Sequence, residues 1–158
     1  MKKLLTASNI IACLSFVLSL LFLILYVANF NGSGYFQGVK APYLVVLAIF
    51  VLVFDLLIIA RSLLHLEGIV GKVVDIVVYV LKVLIPVFLF IGVMSLTQTR
   101  IEGFGYIFFS NVDVAKEVAT PANVASAGLS ITALVFGGLA ALVSIVGAFF
   151  LPKEKQAD

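Results

Sequence analysis

Apolar residues run almost unbroken through four stretches of this chain, at residues 9–30, 42–64, 73–96 and 121–151. Each has the roughly 20 residues that carry an α-helix across ~30 Å of hydrocarbon. A segment in lipid must satisfy its own backbone N–H and C=O groups, which makes helix the state of such runs. The alternation of a membrane β-barrel strand is missing, because the apolar residues follow one another without a break. The pattern predicts an all-α integral membrane protein: a four-transmembrane-helix bundle forming a single membrane domain over residues 1–158.

Punctuation between the runs supports these limits. Asn31-Gly32-Ser33-Gly34 is turn chemistry, and Pro42 stands where the second helix would open. Gly68 and Gly71 bracket a short connection between the second and third helices. Thr120-Pro121 reads as an N-cap followed by a first-turn proline, and Pro152 ends the fourth helix ahead of a tail at 152–158. The segment 97–120 is expected to be a longer apolar outer loop. Within it, Ser110 and Asp113 could cap a short helix over 110–119.

Composition strengthens the membrane reading and narrows the chemistry. The chain of 158 residues is 63% hydrophobic and 11% charged, against about half and about a quarter in soluble domains. A net charge of +2 gives no electrostatic footprint on phosphate, so no nucleic-acid partner is expected. Cys13 is the one cysteine and His65 the one histidine, which excludes an intrachain disulfide, a bis-histidine haem and a His-rich zinc site. No cofactor, metal or catalytic constellation is expected, and none of the familiar phosphate-loop, nucleophile-elbow or zinc-protease motifs occurs.

Basic residues set the orientation. Four crossings place Lys2, Lys3, Arg61, Lys72, Lys153 and Lys155 on one side and Lys40, Arg100 and Lys116 on the other. The positive-inside rule then puts both termini in the cytoplasm. The first run continues to Phe30, far past Cys13, which reads as an uncleaved helix and not as a signal peptide. The Met-Lys-Lys start and the sparse loops suggest a multi-pass protein of a bacterial plasma membrane.

Charges inside the membrane are costly, so each is a functional candidate. Asp55, Asp75 and Lys82 lie within the runs. Folding the second and third helices about Gly68 sets Asp55 level with Lys82, and Arg61 level with Asp75, as two ion-pair candidates. They could fix the register of the hairpin or form part of a proton or ion path.

Small residues recur on two helices at spacings of four, three and four: Ser8, Ala12, Ser15 and Ser19 in the first, Gly137, Ala141, Ser144 and Ala148 in the fourth. Such stripes let helices approach closely. They either face each other or serve another chain, and the fourth helix is the stronger candidate for an interface. The outer segment carries Phe104, Tyr106, Phe108 and Phe109, a candidate docking surface. Both outer segments contain Gly-x-Gly-Tyr, at Gly32–Tyr35 and Gly103–Tyr106, a hint of a duplicated hairpin.

In layout the chain resembles the tetraspan arrangement of MARVEL-type proteins, and it carries no motif that assigns it to a family. The expected function is a non-enzymatic accessory or scaffold subunit that lies in the lipid bilayer and binds another membrane protein or itself. The alternative is a small oligomeric channel or a proton- or ion-coupled transporter using Asp55, Asp75 and Lys82.

Overall fold

The computed structural model describes residues 7–64, 66 and 68–150. His65, the basic residues Lys2, Lys3, Lys153 and Lys155, and the tail at 152–158 lie outside the described residues. Among those described, the regular elements are all helices: α1 (Ala7–Asn31), α2 (Leu44–Leu63), α3 (Gly68–Phe109), α4 (Val112–Val118) and α5 (Pro121–Phe149). Helices α1, α2, α3 and α5 are each long and apolar enough to cross a membrane. Their outward faces present Ile, Leu, Val and Phe side chains over most of their length. Water would not tolerate such a surface, whereas lipid makes it the ordinary outside of a bundle. The chain is therefore a small multi-pass membrane protein.

The four long helices close a ring in the order α1, α2, α3, α5, with the most extensive packing between α1 and α5. The two small-residue stripes explain that closeness. Ala12, Ser15 and Ser19 on α1 are buried, as are Gly137, Ala141 and Ser144 on α5, while Ser8 and Ala148 are half-buried. A Cβ on Gly137 would sit 2.7 Å from Val93 Cγ2 and 3.0 Å from the Phe22 ring, and one on Gly147 would sit 2.9 Å from Ile11 Cγ2. Both stripes thus face the interior of this chain, the first of the two alternatives that the sequence leaves open. Gly128 and Gly138 have open space around them.

Helix α3 departs most from the sequence expectation. It runs 42 residues, about 63 Å at 1.5 Å per residue. Residues 97–109, expected as outer loop, continue the helix. The Thr97 and Thr99 hydroxyls are satisfied within the helix by carbonyls of the preceding turn. The cause of the extension is a core of its own, in which Phe36, Ile107 and Ala127 are buried with Phe104 and Val118 against them. Gly103 is the point of contact, since a Cβ there would collide with the rings of Phe36 and Tyr35. The two Gly-x-Gly-Tyr motifs therefore pack on each other, one as helix and one as turn, and do not repeat a structure. Helix α4 is capped by Asn111, whose side chain accepts from Val114 N at 3.0 Å, in place of the expected Ser110–Asp113 box.

The connection from α1 to α2 is short and closely tied. Gly34 adopts φ 124° beside Ala122 and Ser126, where any side chain would clash. Tyr43, at φ 64°, is the N-cap of α2, so Pro42 precedes the helix and does not open it. The Pro42 carbonyl instead accepts from Ser95 Oγ at 2.7 Å.

Candidate functional site: polar groups inside the bundle

Between Asp75 and Ser95, α3 rises about 30 Å, the thickness of a bilayer's hydrocarbon. Polar groups occupy the bundle interior in layers along that length. At the hairpin end, Arg61 Nε and Nη2 donate to the two carboxylate oxygens of Asp75 at 2.9 and 3.1 Å. Arg61 Nη1 also donates to Leu64 O at 3.0 Å. The fork geometry of guanidinium on carboxylate is what holds α2 to α3 here. Asn9 Nδ2 donates to Ser62 Oγ at 2.7 Å, which adds α1 to the same layer.

The next layer corrects the expectation of an Asp55–Lys82 ion pair. No salt bridge joins them among the described residues. Lys82, 6% exposed, donates to Ser8 Oγ at 2.8 Å and to the Phe150 carbonyl. The C-terminus of α5 explains this choice. The last carbonyls of a helix have no intrahelical partner and carry the negative end of its dipole, so a buried ammonium is drawn there. Asp55, 1% exposed, accepts from Ser15 Oγ at 3.0 Å. The two charged groups nevertheless line one cavity of about 20 Å³, together with Ser8, Ser15 and Ser144.

Farther from the hairpin, the interior turns apolar. Ser19 Oγ has no hydrogen-bond partner among the described residues, and Phe22, Val51, Ile85 and Leu89 fill the centre. Phe22 lies against Gly92 and Gly137, whose missing side chains make room for its ring.

The far end of the bundle is polar again, and here the sequence reading missed the main residues. Asn29 Nδ2 donates to Ser130 Oγ, and Ser126 Oγ donates to Asn29 Oδ1 at 2.6 Å. The Phe36 backbone N–H reaches Ser126 Oγ at 3.3 Å, and the Ala41 N–H reaches the Tyr26 hydroxyl at 3.0 Å. Arg100, expected in an exposed loop, is 0% exposed. Its Nη2 donates to Val39 O at 3.1 Å and its guanidinium lies 4.6 Å from the Phe36 ring centroid. Nε and Nη1 find no partner among the described residues. The spacing Leu96, Arg100, Gly103, Ile107 is a helix face, and it was the signal that could have placed this arginine inside.

Beyond this layer, the outer aromatics divide. Phe104 is half-buried and meets Phe36 edge to face, with centroids 5.5 Å apart. Tyr106, Phe108 and Phe109 are exposed, Phe109 to 84%. A shallow groove of about 510 Å³ runs beside Tyr106, lined also by Glu102, Gly105, Ser110, Asn111 and Val114.

Among the described residues no group of three His, Cys, Asp or Glu side chains could hold a metal ion. Comparison of the chain with family models, with curated proteins and with solved structures finds no match. The class that the fold defines is thus that of small multi-pass membrane proteins with a closed four-helix bundle, and its activity has to be argued from the residues themselves.

Proposed function

We propose that the protein is a non-enzymatic accessory subunit of a bacterial plasma membrane, with both termini cytoplasmic, that docks onto another membrane protein through the outer end of α3. The observation that carries this reading is the position of its exposed aromatics. From Ser95 to Phe109, α3 rises about 21 Å beyond the start of α2. With the ~30 Å hydrocarbon slab set between Asp75 and Ser95, that distance lifts Tyr106, Phe108 and Phe109 clear of it. Large apolar side chains exposed above the lipid favour burial against a partner. Basic residues support the orientation. In the sequence, Lys2, Lys3, Lys153 and Lys155 join Arg61 and Lys72 on the side of the termini, six basic residues against Lys40, Arg100 and Lys116 on the other.

The test is the native mass of the tagged protein, extracted gently from its own membrane. A foreign polypeptide at fixed stoichiometry, lost from the Tyr106→Ser/Phe109→Ser double variant, supports the reading. A monomer, or a partner retained by that variant, overturns it.

A channel or transporter using Asp55, Asp75 and Lys82 ranks second. Asp75 is held by Arg61, and the apolar layer around Phe22 separates Asp55 from the polar groups at Asn29.

A further inference from the structure

Among the described residues, one N–H of Lys82 and one carboxylate oxygen of Asp55 find no partner. An ammonium has three N–H groups, and Lys82 uses one on Ser8 Oγ and one on the Phe150 carbonyl. A carboxylate has two oxygens, and Asp55 Oδ2 takes the hydroxyl of Ser15. No described residue matches the third ammonium proton or Oδ1. Both groups line the same cavity of about 20 Å³. A buried site needs roughly 10–15 Å³ and two or more polar partners to hold a water, so the space is that of one water molecule. Other walls of the cavity add hydroxyls and no further charge: Ser8 and Ser15 from α1, and Ser144 from α5.

We propose that this cavity is a one-water site, and that its water couples Asp55 to Lys82 as a proton-exchanging pair. The water accepts from Lys82 Nζ and donates to Asp55 Oδ1. In the exchange step a Lys82 N–H bond breaks and its proton joins the water. The water releases one of its own protons to Oδ1, leaving an amine and a carboxylic acid with no net proton gained or lost. Ile58 from α2 and Ile85 from α3 are among the apolar walls of the cavity. This arrangement is independent of the outer docking surface.

Two measurements test it. An experimental structure that resolves waters should show one oxygen within hydrogen-bond distance of both Lys82 Nζ and an Asp55 carboxylate oxygen. An empty cavity, or direct contact between the two side chains, overturns the proposal. Infrared titration of the reconstituted protein should show a carboxyl band that Asp55→Asn deletes. The pH midpoint of that band should move tenfold or more in proton affinity in Lys82→Met, and by less in Lys82→Arg. An unchanged midpoint in Lys82→Met shows that the two groups are uncoupled and also overturns it. If Lys82→Met does not fold, the wild-type structure alone decides.

Discussion

The ammonium of Lys82 in α3 lies on the carbonyl of Phe150, the C-cap of α5. A charged residue that looks, in sequence, like half of an ion pair thereby becomes the cap of a helix on another element. It satisfies a carbonyl that lipid could not, and joins α3, α5 and, through Ser8, α1.

Replacing this lysine should therefore destabilise the bundle whether or not Asp55 is present. Lys82→Met is expected to cost about 1.5–3 kcal/mol, the range of a hydrogen bond to a charged group. Unfolding in mixed micelles measures it. If Asp55→Asn restored full stability to Lys82→Met, the capping role assigned to Lys82 would be wrong.

The Arg61–Asp75 contact is bidentate but lies near the end of the hairpin, with side chains 18% and 32% exposed. A double-mutant cycle with Arg61→Ala and Asp75→Ala should give a coupling of about 1 kcal/mol. That coupling should shrink as salt is raised from 0.1 to ~1 M, because the pair is only partly shielded. A salt-independent value would show the pair to be more deeply enclosed than described.

Neighbouring glycines on α5 should behave in opposite ways. Gly137→Ala places a methyl 2.7 Å from Val93 Cγ2, an overpacking expected to cost about 1–3 kcal/mol. Gly138→Ala meets nothing within 4 Å and should be neutral or stabilise by up to about 1 kcal/mol, the helix-propensity difference. Melting temperatures of the two variants in one detergent compare them directly. A reversed order would mean that the packing of α5 has been misassigned.

Arg100 holds two buried nitrogens, Nε and Nη1, without acceptors among the described residues, each a penalty of about 1–3 kcal/mol. Arg100→Met keeps an apolar stem beside Phe36 and removes both. Loss of the Val39 hydrogen bond and the ring contact offsets that gain by about 1 kcal/mol apiece. The melting temperature should hold or rise. A fall of more than about 5 °C, some 2 kcal/mol in a chain this size, would show that those N–H groups do have partners in the membrane.

The four membrane helices were legible in the sequence because lipid imposes one rule on every residue of a span, and unbroken apolar runs obey it. The depth of Arg61 opposite Asp75 also follows from counting outward from Gly68, since a tight hairpin gives both helices a common origin. Lys82 was not legible in the same way. Its partner is a backbone carbonyl 68 residues away, and a carbonyl bears no mark in the sequence that sets it apart from any other. The extension of α3 escaped for a different reason. Membrane thickness bounds where a helix must be apolar, not where it must stop, and residues 97–109 stay helical because Phe36 and Ala127 give them something to pack on. Arg100 was misplaced by the same error, since a charged residue read as loop is taken to face water.

Pro86 lies within α3. Its ring removes one backbone N–H and crowds the carbonyl four residues earlier, which is that of Lys82. The rod is thus weakest one turn from the side chain that anchors it to the end of α5. If α3 swivels, it pivots there. A tilt of its outer arm, with Phe109 at the tip, would be felt first at the Lys82 ammonium, before it reached Arg61 and Asp75 farther down.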